Sequence, residues 1–123
     1  MQKRRTIVAV VDDDPSMLKA AEDLLDAHGC TASLFTSAEE FLASELVTRA
    51  DCLLLDIHLG GLSGIELRRQ LKSSRPALPV IFMTALDDEA MRREALQVGC
   101  VACLRKPFPA RQLFDAIEKA VHT

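Results

Sequence analysis

Five short apolar runs, at residues 6–11, 31–35, 52–55, 80–83 and 101–104, alternate with five stretches whose apolar positions recur every three or four residues. A short apolar run predicts a strand and the wider period predicts a helix. Strands recurring about every 20–30 residues with a helix between them are what βαβ units need. Three runs are apolar without interruption: Ile7-Val8-Ala9-Val10-Val11, Cys52-Leu53-Leu54-Leu55 and Val80-Ile81-Phe82-Met83. Strands of that kind are covered on both faces, so they are predicted in the middle of a parallel sheet. Thr31-Ala32-Ser33-Leu34-Phe35 is more mixed and suits an edge.

The helices announce their ends. Asp14-Pro15 supplies an N-cap and an N1 proline for a helix running to about residue 28, closed by Gly29. Ser37 with Glu40 forms a capping box ahead of Phe41 and Leu42. Ser63 caps a third helix carrying Ile65, Leu67 and Leu71, and Asp87 and Asp88 open a fourth with Met91, Ala95 and Val98 on one stripe, closed by Gly99. The fifth follows Pro109 and places Leu113, Ile117 and Val121 at spacing four. The pattern is a (βα)5 chain of the α/β class. Right-handed crossovers and two-sided coverage predict an open doubly wound sheet, whose ligand site lies beyond the carboxyl ends of the strands.

Composition narrows this further. A chain of 123 residues suits one domain, expected over 1–123, with no linker or repeat. Mass scaling gives a folded surface of about 6,500 Å² and burial of roughly two-thirds of the chain's surface, enough for a core without staples. Apolar residues at 49% and charged residues at 27% are ordinary for a globular chain, and a net charge of −3 makes it a poor holder of nucleic-acid phosphates. No apolar run approaches the roughly 20 residues that span a bilayer. The basic start, Met1-Gln2-Lys3-Arg4-Arg5, leads only into residues 7–11 before Asp12 intervenes, so a signal peptide is not expected. With Cys30, Cys52, Cys100 and Cys103 in or beside apolar segments, reduced buried thiols and a cytoplasmic location are expected.

What the strand ends carry decides the chemistry. The first strand ends in Asp12-Asp13-Asp14, the third in Asp56, the fourth in Thr84, and the fifth runs into Lys106-Pro107. Crowded carboxylates about 4 Å apart repel by on the order of 1 kcal/mol in water and several times more in a partly dry cleft. A divalent cation relieves that conflict, and hard oxygen ligands suit Mg2+. Asp14 is expected only to cap its helix. Asp56, at the end of a buried run, is placed to act as a nucleophile and accept a phosphoryl group as an acyl phosphate. A hydroxyl from Thr84 and an ammonium from Lys106 are donors of the right kind for the phosphoryl oxygens.

Val10-Val11-Asp12-Asp13-Asp14-Pro15-Ser16, Leu54-Leu55-Asp56, Met83-Thr84-Ala85 and Lys106-Pro107-Phe108 together resemble the receiver domain of bacterial two-component response regulators, over essentially the whole chain. The resemblance implies a flavodoxin-like sandwich with strand order 2-1-3-4-5. It implies Asp56 as phosphoacceptor, Asp12, Asp13 and the backbone carbonyl of His58 as further Mg2+ ligands, Thr84 and Lys106 holding the phosphoryl oxygens, and a cis Lys106-Pro107 bond. It implies a phosphorelay switch rather than an enzyme, with only self-phosphorylation and slow autodephosphorylation. The expected partners are a sensor histidine kinase and an unidentified downstream effector or output domain; nucleic acid and membrane are not expected, and a weak homodimer through the last helices is left open.

The chain also departs from the family. The position three before the lysine, usually aromatic or His, is Cys103, and a thiol is too small to fill an aromatic's pocket. Phosphoryl uptake is therefore expected without the usual Thr84-to-aromatic coupling. Where a Met-Pro pair often follows, this chain has Leu59-Gly60-Gly61, which loosens the loop beside the site. His58, two positions past Asp56, is expected to alter the dephosphorylation rate.

Other signals are read as structural. Cys100-x-x-Cys103 is one unmatched pair, expected to point to opposite faces of the fifth strand. The basic pairs among Arg68, Arg69, Lys72, Arg75, Arg92 and Arg93 are expected on solvated faces, and Phe35, Phe41, Phe82 and Phe114 in the core. One rival is a haloacid-dehalogenase-like phosphatase with Asp12 as nucleophile and Asp14 as acid/base; it lacks the late acidic pair such enzymes carry. A flavin-binding module is the other, but the chain has no Trp or Tyr to stack on the ring.

Overall fold

A computed structural model of the chain describes residues 4–85 and 89–121. Its strands are β1 (Ile7–Val11), β2 (Thr31–Phe35), β3 (Cys52–Asp56), β4 (Val80–Thr84) and β5 (Ala102–Arg105). The helices are α1 (Pro15–Ala27), α2 (Ala38–Leu42), α3 (Leu46–Arg49), α4 (Gly64–Ser74), α5 (Glu89–Val98) and α6 (Ala110–Val121). All strand pairs are parallel and the sheet order is β2-β1-β3-β4-β5. The mixed run 31–35 is an edge and the three continuous apolar runs are the centre, as their composition requires.

Alternation along the central strands divides the core into two layers. Val8, Val10, Cys52, Leu54, Ile81 and Met83 face α1 and α6, where Leu25, Leu113 and Ile117 meet them. Ala9, Val11, Leu53, Leu55 and Phe82 face the other way, onto Phe41 of α2, Leu67 and Leu71 of α4 and Val98 of α5. The accessible surface is 6743 Å², close to the value scaled from mass.

The registers fix the functional edge. Val11 lies opposite both Phe35 and Leu55, Asp56 opposite Met83, and Thr84 opposite Arg105. The Asp12 amide donates to the Phe35 carbonyl at 3.1 Å and the Lys106 amide to the Thr84 carbonyl at 2.8 Å. Residues 12, 56, 84 and 106 are thus held at one end of the sheet by ladder hydrogen bonds and their extensions.

Local details differ from the sequence reading in several places. The second helical stretch is split into α2 and α3 at Ser44, whose hydroxyl donates to the Phe41 carbonyl at 2.7 Å and accepts from the Leu46 amide at 3.1 Å. A serine that bonds to nearby backbone in this way offers the chain an alternative to continuing the helix. Glu40 accepts from the Thr36 amide rather than that of Ser37. The α1 and α5 ends are as expected, with Gly29 at φ 82° and Gly99 at φ 98° in the left-handed region. The opening of the fourth helix by Asp87 and Asp88 falls outside the described residues.

Two arginines expected on solvated faces are structural instead. Arg68 Nε donates to the Gly99 carbonyl at 2.9 Å, and Arg75 Nη1 donates to the Val47 carbonyl at 2.6 Å. Arg68 thereby ties α4 to the turn before β5, and Arg75 ties the end of α4 to α3. Phe114 is only partly buried, stacked flat on His28 with ring centroids 4.2 Å apart. Cys100 lies before β5 begins, outside its alternation, so it packs with Cys103 against the same core layer. Burial pushes both thiols up, and that of Cys52 to about 12, which leaves them protonated and poorly nucleophilic.

Candidate functional site

Each acid reaches the sheet edge because a buried strand delivers it there. Asp12 follows β1 and is fully buried, and Asp56 closes β3 at 5% exposure, whereas Asp13 is exposed. Asp12 Oδ1 accepts from the Asp14 amide at 2.9 Å, an Asx-type turn that bends the chain away from the strand. Asp56 Oδ1 accepts from the His58 amide at 2.9 Å in the same manner. These bonds fix the two carboxylate planes. Their other oxygens share one cation: Lys106 Nζ donates to Asp12 Oδ2 at 2.6 Å and to Asp56 Oδ2 at 3.1 Å.

A carboxylate oxygen from each of Asp12, Asp13 and Asp56 lies within 4.8 Å of the other two. Among the described residues, three acids stand here against the Lys106 ammonium, so the pocket carries a surplus of negative charge. At an effective dielectric of about 20, two such charges roughly 4 Å apart repel by on the order of 4 kcal/mol. Burial drives the Asp56 carboxyl above its usual range, as does the Asp12 charge, against the opposing pull of the His58 amide and Lys106. Burial would lower the Lys106 ammonium, yet its bonds to Asp12 and Asp56 outweigh that and raise it. Thr84, the last residue of β4, is buried at the same edge, and the Lys106-Pro107 bond is cis.

The sequence placed Asp12, Asp13, Asp56, Thr84 and Lys106 at this edge, and the structure brings them there. Asp14 is exposed and caps α1, its Oδ1 accepting from the Ser16 amide at 2.9 Å. His58 divides its two roles: its amide serves Asp56, while its imidazole lines a separate groove of about 570 Å³ with Ser63, Glu66, Arg69, Met91 and Glu94. Its Nε2 is buried and has no hydrogen-bond partner among the described residues. One contact to the site's loop escaped the sequence reading: Glu39 of α2 accepts from the Leu62 amide at 3.0 Å. Glutamates on exposed helix faces are too common for that position to have signalled it.

Five parallel strands of this order, with acids after the first and at the end of the third and a lysine after the fifth, define a doubly wound fold with an acidic pocket at its switch point. Residues 8–118 match the response regulator receiver domain family. The chain belongs to that family, part of the two-component regulatory systems. It is 32% identical over 121 residues to the response regulator protein TodT of Pseudomonas putida, covering 98% of this chain and 53% of TodT. Nodulation protein W of Bradyrhizobium diazoefficiens is 37% identical over 116 residues, covering 94% of this chain and 51% of that protein. The chain thus spans about half the length of these curated relatives. Among solved structures, FixJ-N superposes with a TM-score of 0.86 at 31% identity, covering 99% of this chain and 96% of that one. The BeF3-activated DrrB receiver domain gives a TM-score of 0.88 at 28% identity, covering 98% and 100%.

Proposed function

We propose that the chain, as one receiver domain over 1–123, takes a phosphoryl group from a partner kinase's phosphohistidine onto Asp56. The observation that carries this reading is the shared Lys106 contact, which sets the Asp56 carboxylate beside Asp12 at a buried strand end. An Asp56 oxygen attacks phosphorus, the P–N bond breaks, and its electron pair leaves with the imidazole. Lys106 stays with the transferred oxygens, where its charge replaces part of the water they lost, and Thr84 supplies a hydroxyl donor. Later attack by water returns the carboxylate and releases inorganic phosphate.

The surplus of acid over ammonium fits a divalent cation. Asp12, Asp13 and Asp56 would hold Mg2+, with the His58 carbonyl as a further oxygen ligand. When bound, the ion supplies charge neutralisation between the carboxylates and the incoming phosphoryl oxygens. Acylation then shifts a population between two conformers, and a downstream partner or output domain reads the change. Cys103, opposite Phe82 in the sheet, carries no ring for the relay usual in the family, so readout rests on other groups at this edge. A cytoplasmic location suits a phosphohistidine donor, and among the described residues no helix is long and apolar enough to cross a membrane. A phosphatase reading with Asp12 as nucleophile is not favoured by the family match, and Asp14 is committed to its cap.

The test is labelling by acetyl phosphate followed by intact mass. With Mg2+ present one phosphoryl group is expected per chain. Chelation by EDTA is expected to slow labelling at least roughly 100-fold, as several kcal/mol of charge stabilisation are removed. Labelling that ignores EDTA contradicts the metal role, and no labelling under either condition contradicts the phosphoacceptor role.

A further inference from the structure

We infer that Glu39 is a positioning residue for the phosphoryl site, clasping the middle of the loop that runs from Asp56 to Gly64. The inference rests on Asp56 being the phosphoacceptor and adds a control on the lifetime of its phosphoryl group.

Both ends of that loop are already fixed. At one end the His58 amide donates to Asp56 Oδ1 at 2.9 Å, and at the other the Gly64 amide donates to the Ile57 carbonyl at 3.1 Å. Leu59 is buried between them at 9% exposure. The middle, residues 60–62, is the weak stretch, because Gly60 and Gly61 are exposed and have no side chains to pack. Glu39 reaches this stretch from another element. Its Oε2 accepts from the Leu62 amide at 3.0 Å and lies 2.9 Å from where a Gly61 Cβ would stand. Gly61 has φ 74°, a left-handed backbone conformation that favours glycine. The Leu62 amide in turn holds the Glu39 carboxyl below its usual range, so it stays ionised and a good acceptor.

The clasp has a firm base. Glu39 sits on α2 between Ala38 and Phe41, both fully buried in the core layer under the loop. Ser37 caps that helix by accepting from the Glu40 amide at 3.0 Å. Movement of residues 60–62 is thereby referred to the core. Since the same loop supplies the amide that orients Asp56, releasing its middle admits water beside the acyl phosphate and shortens its life.

Wild type, Glu39→Ala and Glu39→Gln are labelled with acetyl phosphate and Mg2+, freed of reagent, and followed by intact mass. Leu62 amide exchange and thermal midpoints are recorded alongside. Glu39→Ala is expected to lose its phosphoryl group roughly two- to five-fold faster, the size of effect one hydrogen bond supports. Its Leu62 amide exchanges faster and its thermal midpoint moves little, since Glu39 is exposed. Glu39→Gln retains an acceptor oxygen and is expected to restore both lifetime and protection. A labelled wild type with an equal or longer lifetime in Glu39→Ala, or unchanged Leu62 exchange, overturns the clasp alone. A wild type that does not label at Asp56 overturns the phosphoacceptor reading and the lifetime role with it.

Discussion

Replacing Asp56 with Asn is expected to abolish labelling by acetyl phosphate while leaving the fold intact. The amide is isosteric and can still accept from the His58 amide, but it has no anionic oxygen to attack phosphorus. The variant should also be more stable than wild type near neutral pH. Burial raises the Asp56 carboxyl above its unfolded value, so the folded state holds that proton more tightly than the unfolded one. Wild-type stability therefore falls as pH rises from the unfolded value near 3.8 through the folded one, and Asn removes that loss. Denaturant midpoints at several pH values in metal-free buffer check this, since a bound cation would itself stabilise the wild type. The advantage of Asn is expected at pH 7 and should disappear as pH drops below the unfolded value. An Asn variant that still labels, or one whose advantage grows toward acid, contradicts the site as described.

The second large effect is expected at Gly64, the first residue of α4. A Cβ there would overlap the Asp56 carbonyl oxygen and come within 2.9 Å of Ile57 Cα. Both obstacles are backbone, and both belong to the strand end that carries the phosphoacceptor. Gly64→Ala must therefore push α4 away from β3 or bend β3 itself. Overpacking of this kind costs about 1–3 kcal/mol, a fall of roughly 5–15 °C in thermal midpoint. Labelling is expected to drop along with stability, because the displaced carbonyl belongs to Asp56. A stable Gly64→Ala protein that labels at the wild-type rate would show that α4 does not sit this close to the site.

Much of this was legible in the chain because strong local signals agreed with the global fold. Residues 7–11, 52–55 and 80–83 are apolar without interruption, which only a two-sided sheet explains, and each runs straight into a polar residue at the edge. Asp12, Asp56, Thr84 and Lys106 could therefore be brought together without coordinates. What escaped depended on contacts between distant surface segments. Arg68 and Arg75 read as solvated because a basic residue on a helix gives no sign of which carbonyl it will meet. Glu39 was silent for the same reason. Cys100 was assigned to the wrong face because β5 starts at Ala102, and an offset of two residues at a strand end removes a residue from the alternation. The split at Ser44 was hidden because one serine can either face solvent or bond to the backbone, and only the local turn decides.

The central claim is that a buried carboxylate at the end of β3, held by Lys106 beside Asp12, is the group that takes phosphorus. Tandem mass spectrometry on protein treated with acetyl phosphate and Mg2+ locates the modified side chain directly. The expected result is a single phosphoryl group on Asp56; a phosphoryl group on Asp12, or none on any aspartate, would contradict it.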